Sequence, residues 1–354
     1  MNDHDDSALD GHGGWPAVIS GLIRGEDAAE SVGTVVAEIL AGRATDAQIA
    51  GFLVALRSKG ETADELAAML DATMAEATIV PLSDDERSVA VDIVGTGGDG
   101  SHSINVSTMA AIVTAAAGTP VCKHGNRSAS SKCGAADVLE LLGVRLELGA
   151  DDVARCVREA GIGFCFAPAF HPAFRFAGPP RRQMGVPTAF NLLGPMANPG
   201  RVRNQLIGVA DPAMAEPMAG ALAAQGVTSA WIVHGGGLDE LSTITASSAH
   251  VLRDGGIDRI EIDPVALGLA PATTADLRGG SPEENAAAVR RVLAGDAGAH
   301  RDVVVLNAAA ALVVAGATSD IEAGLGLAAA AIDDGRAAAT LERFVAVSTG
   351  SPGE

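Results

Sequence analysis

The sequence of 354 residues contains no tyrosine, and aromatic residues make up only 3% of it. A core with so few rings must be filled by alanine, valine and leucine. Hydrophobic residues nevertheless reach 48% and charged residues 19%, so the chain has ample material for burial. At this length we expect two domains, or one domain with a substantial lobe.

Basic residues are also scarce. Lys and Arg number 24 against 44 Asp and Glu, which gives a formal net charge of −20 at pH 7. A charge of this sign and size repels nucleic acid and anionic membrane surfaces, so we expect neither as a partner. A local cluster of Lys and Arg can still hold one small anion.

The four cysteines form neither a CxxC pair nor a dense disulfide framework, so we expect free thiols. They are Cys122, Cys133, Cys156 and Cys165. The first residues, MNDHDDSALDGHGG, lack the basic start and the apolar centre of a signal peptide. No apolar run reaches the ~18 residues that a membrane-spanning helix needs. These features predict a cytoplasmic protein.

Helical periodicity dominates the first part of the chain. Apolar residues recur three and four apart through a predicted helical domain at 14–82. Thr45 or Asp46 can cap one of its helices, and Thr62 with Glu65 has the spacing of a capping box. The apolar faces of these short helices need a partner, either the rest of the chain or a second subunit.

From residue 88 to about 350 the pattern changes. Short apolar runs alternate with alanine-rich helical runs, which indicates a mainly parallel sheet with helices on its faces; the runs are VAVDIV, TPVCK, GIGFCFAP, NQLIGVA and SAWIVHG. A Pro- and Arg-rich insertion at 172–200 fits neither pattern, and we expect part of it to join the helical domain. The predicted fold class is α/β, with a small N-terminal helical domain, a larger α/β domain and a disordered tail at 1–13.

Glycines crowd the stretch DIVGTGGDGSHSINVST, which begins at Asp92 between a predicted strand and a predicted helix. Gly95, Gly97 and Gly100 satisfy the GxGxxG pattern of dinucleotide-binding folds. Against that reading, SHSINV separates the glycines from the helix, and Lys123 stands where an acidic residue should close the next strand. GxxxxGK[ST] is absent, which excludes a P-loop. A plain strand-to-helix turn needs only one or two glycines, so we predict an anion-binding or ligand-binding loop.

The next predicted strand ends in KHGNRSASSKCG, which places Lys123, Arg127 and Lys132 within ten residues of one another. A solvated surface loop is the simple explanation for such a patch. Lys123, however, directly follows an apolar strand, and α/β sheets bind ligands at that end. His124 is either structural or ligand-orienting, and the residues around it leave both roles open.

Adjacent carboxylates follow a further strand in VHGGGLDELS. Asp239 and Glu240 can bind Mg²⁺, which prefers carboxylate and phosphate oxygens. An acidic helix start is the alternative, since it suits the helix dipole. The two phosphate-type loops favour the metal, and Ser107 of the glycine loop can add another oxygen.

A fourth motif, FHPAFRFAGPPRRQMGVPTAFNLLGPMANPG, sets Arg181 and Arg182 among apolar residues, prolines and phenylalanines. A guanidinium beside apolar walls suits an aromatic carboxylate, because the fork grips the carboxylate and the walls accept the ring. A solvated basic turn is equally compatible with these residues alone.

Together the four motifs resemble those of the anthranilate phosphoribosyltransferase family of tryptophan biosynthesis, which joins anthranilate to phosphoribosyl pyrophosphate (PRPP). The resemblance runs from about Trp15 to the C-terminal region and is densest in the four motifs. It implies a nucleoside phosphorylase and phosphoribosyltransferase-like architecture with the site in the cleft between two domains. It also implies Mg²⁺ as the cofactor and a homodimer formed through the helical domain.

The resemblance further implies the site residues. Lys123, Asn126 and Arg181 would carry catalysis, Lys123 by neutralising the departing pyrophosphate with Mg²⁺, and Asn126 and Arg181 by positioning the amine. Anthranilate would contact Gly95, Asn126 and Arg181, and Mg²⁺ would be held by Ser107, Asp239 and Glu240. The implied PRPP contacts are Gly95, Gly98, Asp99, Ser103, Asn105, Val106, Ser107, Thr108, Lys123, His124, Gly125, Asn126, Arg127, Ser128, Ala129, Ser130, Ser131 and Ala135.

Three positions depart from the usual family pattern. Ala135 replaces a serine, which removes one hydroxyl from the phosphate loop, Pro187 replaces an arginine, and Gly236 replaces an aspartate. Two other functions remain as alternatives. A pyrimidine nucleoside phosphorylase shares this architecture, but its basic loop reads more like KxSxR, and a non-catalytic nucleic-acid-binding relative is disfavoured by the net charge of −20.

Overall fold

The computed structural model describes residues 8–128 and 132–350. Its first part is the small helical domain that the sequence predicts. The helices are α1 (Gly14–Ile23), α2 (Ala29–Leu40), α3 (Asp46–Lys59) and α4 (Ala63–Ala75). Both predicted caps are present, since Thr45 accepts a hydrogen bond from the Gln48 N–H and Thr62 accepts one from the Glu65 N–H.

The predicted disordered tail at 1–13 is too long. Residues Ala8–His12 form a 3-10 helix, and the Leu9 side chain is 1% exposed within the core of the helical domain. Burial of an apolar side chain offsets the entropy lost when this segment is ordered. Residues 1–7 lie outside the described part of the chain.

The larger domain alternates strands and helices, and the five apolar runs named above form its first five strands. The strands are β1 (Val91–Gly95), β2 (Val121–Gly125), β3 (Ile162–Phe166), β4 (Asn204–Gly208), β5 (Ser229–Gly235), β6 (Ser247–Arg253) and β7 (Gly256–Ile262). The α-helices are α5 (Asp84–Val89), α6 (Val106–Ala116), α7 (Ala135–Leu141), α8 (Ala150–Ala160), α9 (Ala167–Phe170), α10 (Gly178–Met184), α11 (Ala189–Met196), α12 (Ala215–Ala224), α13 (Pro282–Leu293), α14 (Ala299–Val314), α15 (Ile321–Asp333) and α16 (Arg336–Thr349). Further 3-10 helices are Pro172–Phe176 and Pro212–Met214.

Seven strands form one sheet in the order β3-β2-β1-β4-β5-β6-β7. The pairs from β3 to β5 are parallel, and the β5–β6 and β6–β7 pairs are antiparallel. The sheet is thus mainly parallel, as predicted, with an antiparallel hairpin at one edge. The strand order reverses between β1 and β4, and open α/β sheets bind ligands at the carboxyl ends of strands at such a point.

Two hydrophobic cores cover the two faces of the sheet. One face packs against α6, α8 and α13 to α16. The other packs against the helical domain, α11 and α12 in a second continuous core. The small helical domain therefore shares its core with the sheet.

The Pro- and Arg-rich insertion packs on the helical domain. Helix α10 contacts α3, and α11 contacts α4. The Phe176 ring lies so close to Gly42 that a Cβ at residue 42 would stand 2.7 Å from ring atom Cε1. These contacts support the expected association of part of 172–200 with the helical domain.

One buried carboxylate joins three parts of the helical domain. Glu65 accepts hydrogen bonds from the main-chain N–H groups of Thr62 and Ala28, each at 3.0 Å, and from Lys59 Nζ at 2.8 Å. It thereby ties the start of α4 to the start of α2 and to the end of α3. Because Glu65 and Lys59 are both largely buried, each compensates the charge of the other.

We expect Glu65→Ala to lower the free energy of unfolding by about 3–5 kcal/mol, because it leaves the Lys59 ammonium buried without its partner. Gln48→Ala is the matched control, since Gln48 closes the exposed capping box of α3 and should cost at most ~1 kcal/mol. Urea unfolding measures both values. Equal effects of the two changes would contradict the central role of Glu65.

Candidate active site

The glycine loop leaves β1 at the point where the strand order reverses. Gly97, Gly98 and Gly100 have φ values of 67°, 82° and 69°, in the left-handed region that side chains disfavour. The loop then leads to α6, which begins at Val106. These backbone conformations therefore require glycine, and the absence of side chains leaves the main chain of the loop accessible to a ligand.

The turn between β5 and β6 enters the space at the ends of β1 and β4. A Cβ on Gly95 would lie 2.3 Å from Asp239 Oδ2, and a Cβ on Gly208 would lie 1.5 Å from the Asp239 carbonyl oxygen. Asp239 Oδ2 also accepts a hydrogen bond from the Gly97 N–H at 2.7 Å. Glycine at both strand ends thus lets the carboxylate turn (Leu238–Leu241) reach the glycine loop. No helix begins at Asp239, which excludes the helix-start alternative.

Carboxyl groups lie close together at this turn. Burial, with the neighbouring Asp99 carboxylate adding to the effect, raises the pKa of Asp239 to about 7. Burial also raises the pKa of Glu240 well above its usual value, with Asp239 adding to the effect and Lys123 opposing it. The Asp99 Oδ2 atom is buried and has no hydrogen-bond partner within the described chain. Three carboxyl groups thus stand beside one cation, Lys123, so the cluster suits a further cation.

The donor set for that cation is incomplete without a ligand. Within residues 8–128 and 132–350, no group of three or more His, Cys, Asp or Glu side chains forms a ready-made metal site. Magnesium commonly uses one or two carboxylates together with water and substrate phosphates. The predicted set of Ser107, Asp239 and Glu240 fits that pattern. The Ser107 main chain also acts to lower the pKa of Glu240, against the larger effect of burial.

Lys123 lies beneath the glycine loop and is only 2% exposed. Its Nζ atom donates to the Ile93 carbonyl oxygen and, at 3.3 Å, to Ser107 Oγ. Burial lowers the pKa of Lys123, and the carboxylates of Asp92, Glu240 and Asp239 counteract that effect. The ammonium therefore balances the buried carboxylates and supports Ser107, a placement that the sequence did not reveal.

The basic loop after β2 differs from its prediction at Arg127. The Arg127 guanidinium binds Glu140 and Asp137 of α7 at 2.9 Å each. This double ion pair holds it on α7, and it is therefore not a free cation for a phosphate. The Asp137 carboxylate also accepts hydrogen bonds from the N–H groups of Ser128 and Gly134, at 3.1 and 2.8 Å. These bonds hold both residues at the start of α7.

Other predicted PRPP contacts lie around these two loops. Asn126 is exposed, and its Oδ1 atom accepts the Arg127 N–H at 2.7 Å. Ala135 begins α7 close to Gly125, since a Cβ on Gly125 would lie 3.4 Å from the Ala135 Cβ. Ser103 forms an isolated bridge with Arg278. Three further predicted contacts, Ala129, Ser130 and Ser131, lie outside the described residues.

The start of α6 is buried behind the glycine loop. Val106 and Thr108 are almost fully buried, and the Thr108 hydroxyl has no partner among the residues that the structure describes. The Asn105 amide just before the helix is already engaged. It donates to the Cys133 carbonyl oxygen at 3.2 Å and accepts from Asn285 at 2.9 Å.

A chain of ring contacts leads from β2 to Arg181. The centroid of the His171 ring lies 5.1 Å from that of His124 and 5.1 Å from that of Phe174, which in turn meets Phe190 edge-on. The Arg181 guanidinium carbon stands 5.3 Å from the Phe190 centroid. These rings form the apolar wall that the fourth motif predicts beside a guanidinium, although no pattern in the sequence singles out His171 and Phe174.

Two features of this wall suit a planar anionic ligand. Burial lowers the pKa of His124 to about 3, with His171 adding to the effect, so the His124 ring stays neutral. Its Nδ1 atom contacts the Gly194 carbonyl oxygen at 3.0 Å, and its buried Nε2 has no partner in the described chain. Arg181 is partly buried and donates to Asn191 Oδ1 at 3.3 Å, whereas Arg182 is exposed.

Two family models cover most of the chain. Residues 17–77 match the helical bundle domain of the glycosyl transferase family, and residues 87–338 match the a/b domain of the same family. The class of protein that the fold and site define is therefore a two-domain glycosyl transferase. None of the described helices is long and apolar enough to cross a membrane.

Individual relatives narrow the class. The anthranilate phosphoribosyltransferase of Rhodococcus opacus (strain B4) is 51% identical over 344 residues, which cover 95% of this chain and 94% of the relative. The crystal structure of the Thermus thermophilus anthranilate phosphoribosyltransferase matches with a TM-score of 0.87 and 41% identity, over 94% of this chain and 99% of that one. The Saccharomyces cerevisiae enzyme in complex with PRPP and Mg matches with a TM-score of 0.86 and 26% identity, over 95% and 98%. The chain belongs to the anthranilate phosphoribosyltransferase family.

We expect Gly208→Ala to displace the carboxylate turn and to destabilise the fold by about 1–3 kcal/mol or more, because the added carbon meets main-chain atoms. Gly194→Ala is the matched control. Gly194 lies inside α11 with no atom within 4 Å of an added Cβ, so this change should be neutral or slightly stabilising. Thermal unfolding compares the two variants, and a Gly208→Ala protein as stable as the control would contradict the close approach.

Proposed function

We propose that the chain transfers the phosphoribosyl group of PRPP to the amine of anthranilate in tryptophan biosynthesis. The products are N-(5-phosphoribosyl)anthranilate and pyrophosphate, and the step depends on Mg²⁺. The observation that carries the proposal is the buried carboxylate turn seated against the glycine loop at the switch point of the sheet. The names of the relatives and the yeast complex with PRPP and Mg support it.

The metal role follows from the charge of the carboxylate turn. Asp239 and Glu240 would hold Mg²⁺ together with Ser107, and Asp99 stands beside them. When bound, Mg²⁺ supplies positive charge to the pyrophosphate oxygens. It also removes the mutual repulsion of the buried carboxylates, so the cation and the site stabilise each other.

The chemical step needs negative charge to be stabilised on the leaving pyrophosphate. The bond between ribose C1 and the pyrophosphate oxygen breaks while positive charge builds on the sugar, and the anthranilate nitrogen then bonds to C1 and loses a proton. The bare backbone of Gly95, Gly98 and Asp99 would approach the pyrophosphate, with Ser103 and Ser107 beside it. Lys123 would act from below by keeping Ser107 in place and by balancing the carboxylates.

The remaining predicted contacts have different placements around PRPP. The start of α6 at Asn105, Val106 and Thr108 would present the positive end of a helix to a phosphate. His124, Gly125, Asn126 and Ser128 line the start of the basic loop, and Ala135 its end. Arg127 would border PRPP, with its guanidinium held on α7.

Arg181 and the ring wall would bind anthranilate. Its guanidinium can grip the carboxylate while Phe190 and the neutral His124 flank the ring, and Asn126 and Gly95 would border the amine. An aromatic amine is already a nucleophile, so positioning matters more than a general base. In this proposal Lys123, Asn126 and Arg181 would carry catalysis.

Domain boundaries, assembly and location complete the proposal. We propose a helical domain at 14–82 joined by part of 172–200, an α/β domain at 88–350, and a cytoplasmic location, which the free and buried thiols of Cys122, Cys156 and Cys165 support. We propose a homodimer through the helical domain, since Ile23 of α1 is 73% exposed and Val54 of α3 is 48% exposed. The net charge of −20 argues against a nucleic-acid partner.

Loss of anthranilate fluorescence on addition of PRPP and Mg²⁺ tests the proposed reaction. Phosphate release from thymidine tests the pyrimidine nucleoside phosphorylase alternative, and a salt-dependent DNA shift tests a nucleic-acid-binding relative. Identities near 50% to anthranilate phosphoribosyltransferases do not favour either alternative. An unchanged fluorescence signal at saturating substrates would refute the proposal.

The two carboxylates proposed to bind Mg²⁺, Asp239 and Glu240, can be tested by replacing both with amides. In the double variant Asp239→Asn with Glu240→Gln, activity should fall by at least about 100-fold, because Mg²⁺ loses its charged ligands. The melting temperature without Mg²⁺ should stay the same or rise, since the variant removes buried like charges. A double variant that keeps parental activity at limiting Mg²⁺ would remove the metal role.

Arg181→Ala should raise the Michaelis constant for anthranilate about 100-fold or more and leave that for PRPP nearly unchanged, because a carboxylate partner is lost. Arg181→Lys should recover only part, since an ammonium lacks the two-pronged contact. Arg182→Ala is the matched control and should leave both Michaelis constants nearly unchanged. Aniline lacks the carboxylate, so the parent and the Arg181→Ala variant should use it about equally poorly. If the ratio of kcat/KM for anthranilate to kcat/KM for aniline were the same in both proteins, Arg181 would not bind the carboxylate.

The proposed dimer predicts a change of molar mass. Replacing Ile23 and Val54 by Glu should convert the dimer to a monomer, because a buried interface does not tolerate uncompensated charge. Light scattering on the eluting protein measures the mass. A parent protein that elutes as a monomer would refute the dimer.

A further inference from the structure

Two buried asparagines outside the four motifs contact the ligand loops. Asn285 of α13 is 3% exposed and Asn307 of α14 is 1% exposed. Neither was singled out from the sequence. Both lie on helices far along the chain from the loops that they touch.

Asn285 connects the glycine loop to the basic loop. Its Oδ1 atom accepts the Gly280 N–H at 2.7 Å, which leaves Nδ2 to donate to Asn105 Oδ1 at 2.9 Å. Asn105 in turn donates from Nδ2 to the Cys133 carbonyl oxygen at 3.2 Å. The Gly280 N–H donates at one end of these three hydrogen bonds, and the Cys133 carbonyl oxygen accepts at the other. These two main-chain groups therefore fix the orientation of both side-chain amides.

The segment before α13 reinforces this connection. The Leu277 carbonyl oxygen accepts the Ile104 N–H at 3.0 Å, and the Gly279 N–H donates to the His102 carbonyl oxygen at 2.8 Å. A Cβ on Gly279 would lie 2.9 Å from the Ser103 carbonyl oxygen, so only glycine permits this approach. The second half of the glycine loop is thus held from the side of α13.

Asn307 holds the carboxylate turn in a similar way. It accepts the Leu241 N–H at 3.0 Å and donates to the Leu241 carbonyl oxygen at 2.8 Å. Its second Nδ2 hydrogen goes to the Val303 carbonyl oxygen at 2.8 Å, which anchors the amide on α14. Leu241 directly follows Glu240, so Asn307 fixes the main chain at the end of the proposed metal pair.

We propose that Asn285 and Asn307 are positioning residues with separate tasks. Asn285 sets the relative position of the two phosphate loops through Asn105, and Asn307 sets the carboxylate turn that would hold Mg²⁺. This inference rests on the proposed roles of those loops toward PRPP and Mg²⁺. A buried amide that both donates and accepts hydrogen bonds resists rotation, and small shifts of a ligand-binding group cost much of its effect.

The test replaces each asparagine by the nearly isosteric Asp, which puts an acceptor where a donor stood. Asn285→Asp should weaken pyrophosphate binding about 10-fold or more with and without Mg²⁺, and it should raise the Michaelis constant for PRPP more than it lowers turnover. Asn307→Asp should weaken pyrophosphate binding by about 10–100-fold only when Mg²⁺ is present. Calorimetric titration with pyrophosphate measures binding without any need for turnover.

A buried asparagine at the opposite end of the sheet supplies the control. Asn204 donates to the Ser88 and Ala90 carbonyl oxygens at 2.8 and 3.1 Å, near the start of β4. Asn204→Asp should lower the melting temperature without changing pyrophosphate or Mg²⁺ affinity. If an Asp variant of Asn285 or Asn307 does not fold, the Ser variant, which introduces no charge, takes its place in the same titrations.

A double-variant cycle tests whether Asn285 acts through Asn105. If it does, Asn105→Ala combined with Asn285→Ala should bind pyrophosphate no more weakly than Asn105→Ala alone. Additive losses of pyrophosphate affinity in the double variant would show that Asn285 does not act through Asn105. Equal losses of affinity in the Asp variants of Asn285, Asn307 and Asn204 would show general destabilisation only, and would also overturn the proposal. A parent protein without anthranilate consumption would refute the proposed reaction, whereas the pyrophosphate titrations would still decide the roles of the two asparagines.

Discussion

Asp239 occupies the space that side chains on Gly95 and Gly208 would need, with its carboxylate against Gly95 and its main chain against Gly208. A Cβ on Gly208 would lie 1.5 Å from the Asp239 carbonyl oxygen, which no relaxation of a side chain can relieve. Because both glycines end neighbouring parallel strands, this close approach brings the turn after β5 to the loop after β1. The Gly97 N–H then meets the Asp239 carboxylate. The site is therefore a consequence of two missing side chains at the switch point of the sheet.

Charge compensation is the second constraint, and it follows from the first. The close approach buries Asp239 and Glu240 near Asp99, with Lys123 as the neighbouring cation beneath them. Like charges in a buried turn are unfavourable unless a cation joins them. A chain of net charge −20 also repels an anionic substrate, so local donors and a metal must supply the attraction. In the proposed function, the same carboxylates would therefore select a substrate that arrives with a divalent cation.

Much of this could be predicted from local patterns, because glycine runs, strand ends and capping boxes act within a few residues. The five parallel strands, the caps of α3 and α4 and the carboxylate pair are of this kind. Long-range partnerships could not be predicted. Asn285 and Asn105 are 180 residues apart, and nothing near Gly208 in the sequence indicates Asp239. The same holds for Arg127, whose spacing among serines indicated a phosphate contact, while its partners Asp137 and Glu140 lie on the next helix.

The two proposed substrate sites depend on different cores of the protein. Arg181 lies on α10, which packs on α3 of the helical domain, whereas the carboxylate turn is held by Asn307 of α14 on the opposite side of the sheet. An ion pair of 2.7 Å between Arg57 and Asp211 and the shared core beneath α11 and α12 connect the helical domain to the strand end of β4. In the proposed complex, the distance between the anthranilate amine and ribose C1 would therefore depend on how the helical domain packs on the sheet. Since the alignment of two reactants supplies a large part of the reduction of such a barrier, packing far from either substrate would contribute to the rate of the proposed reaction.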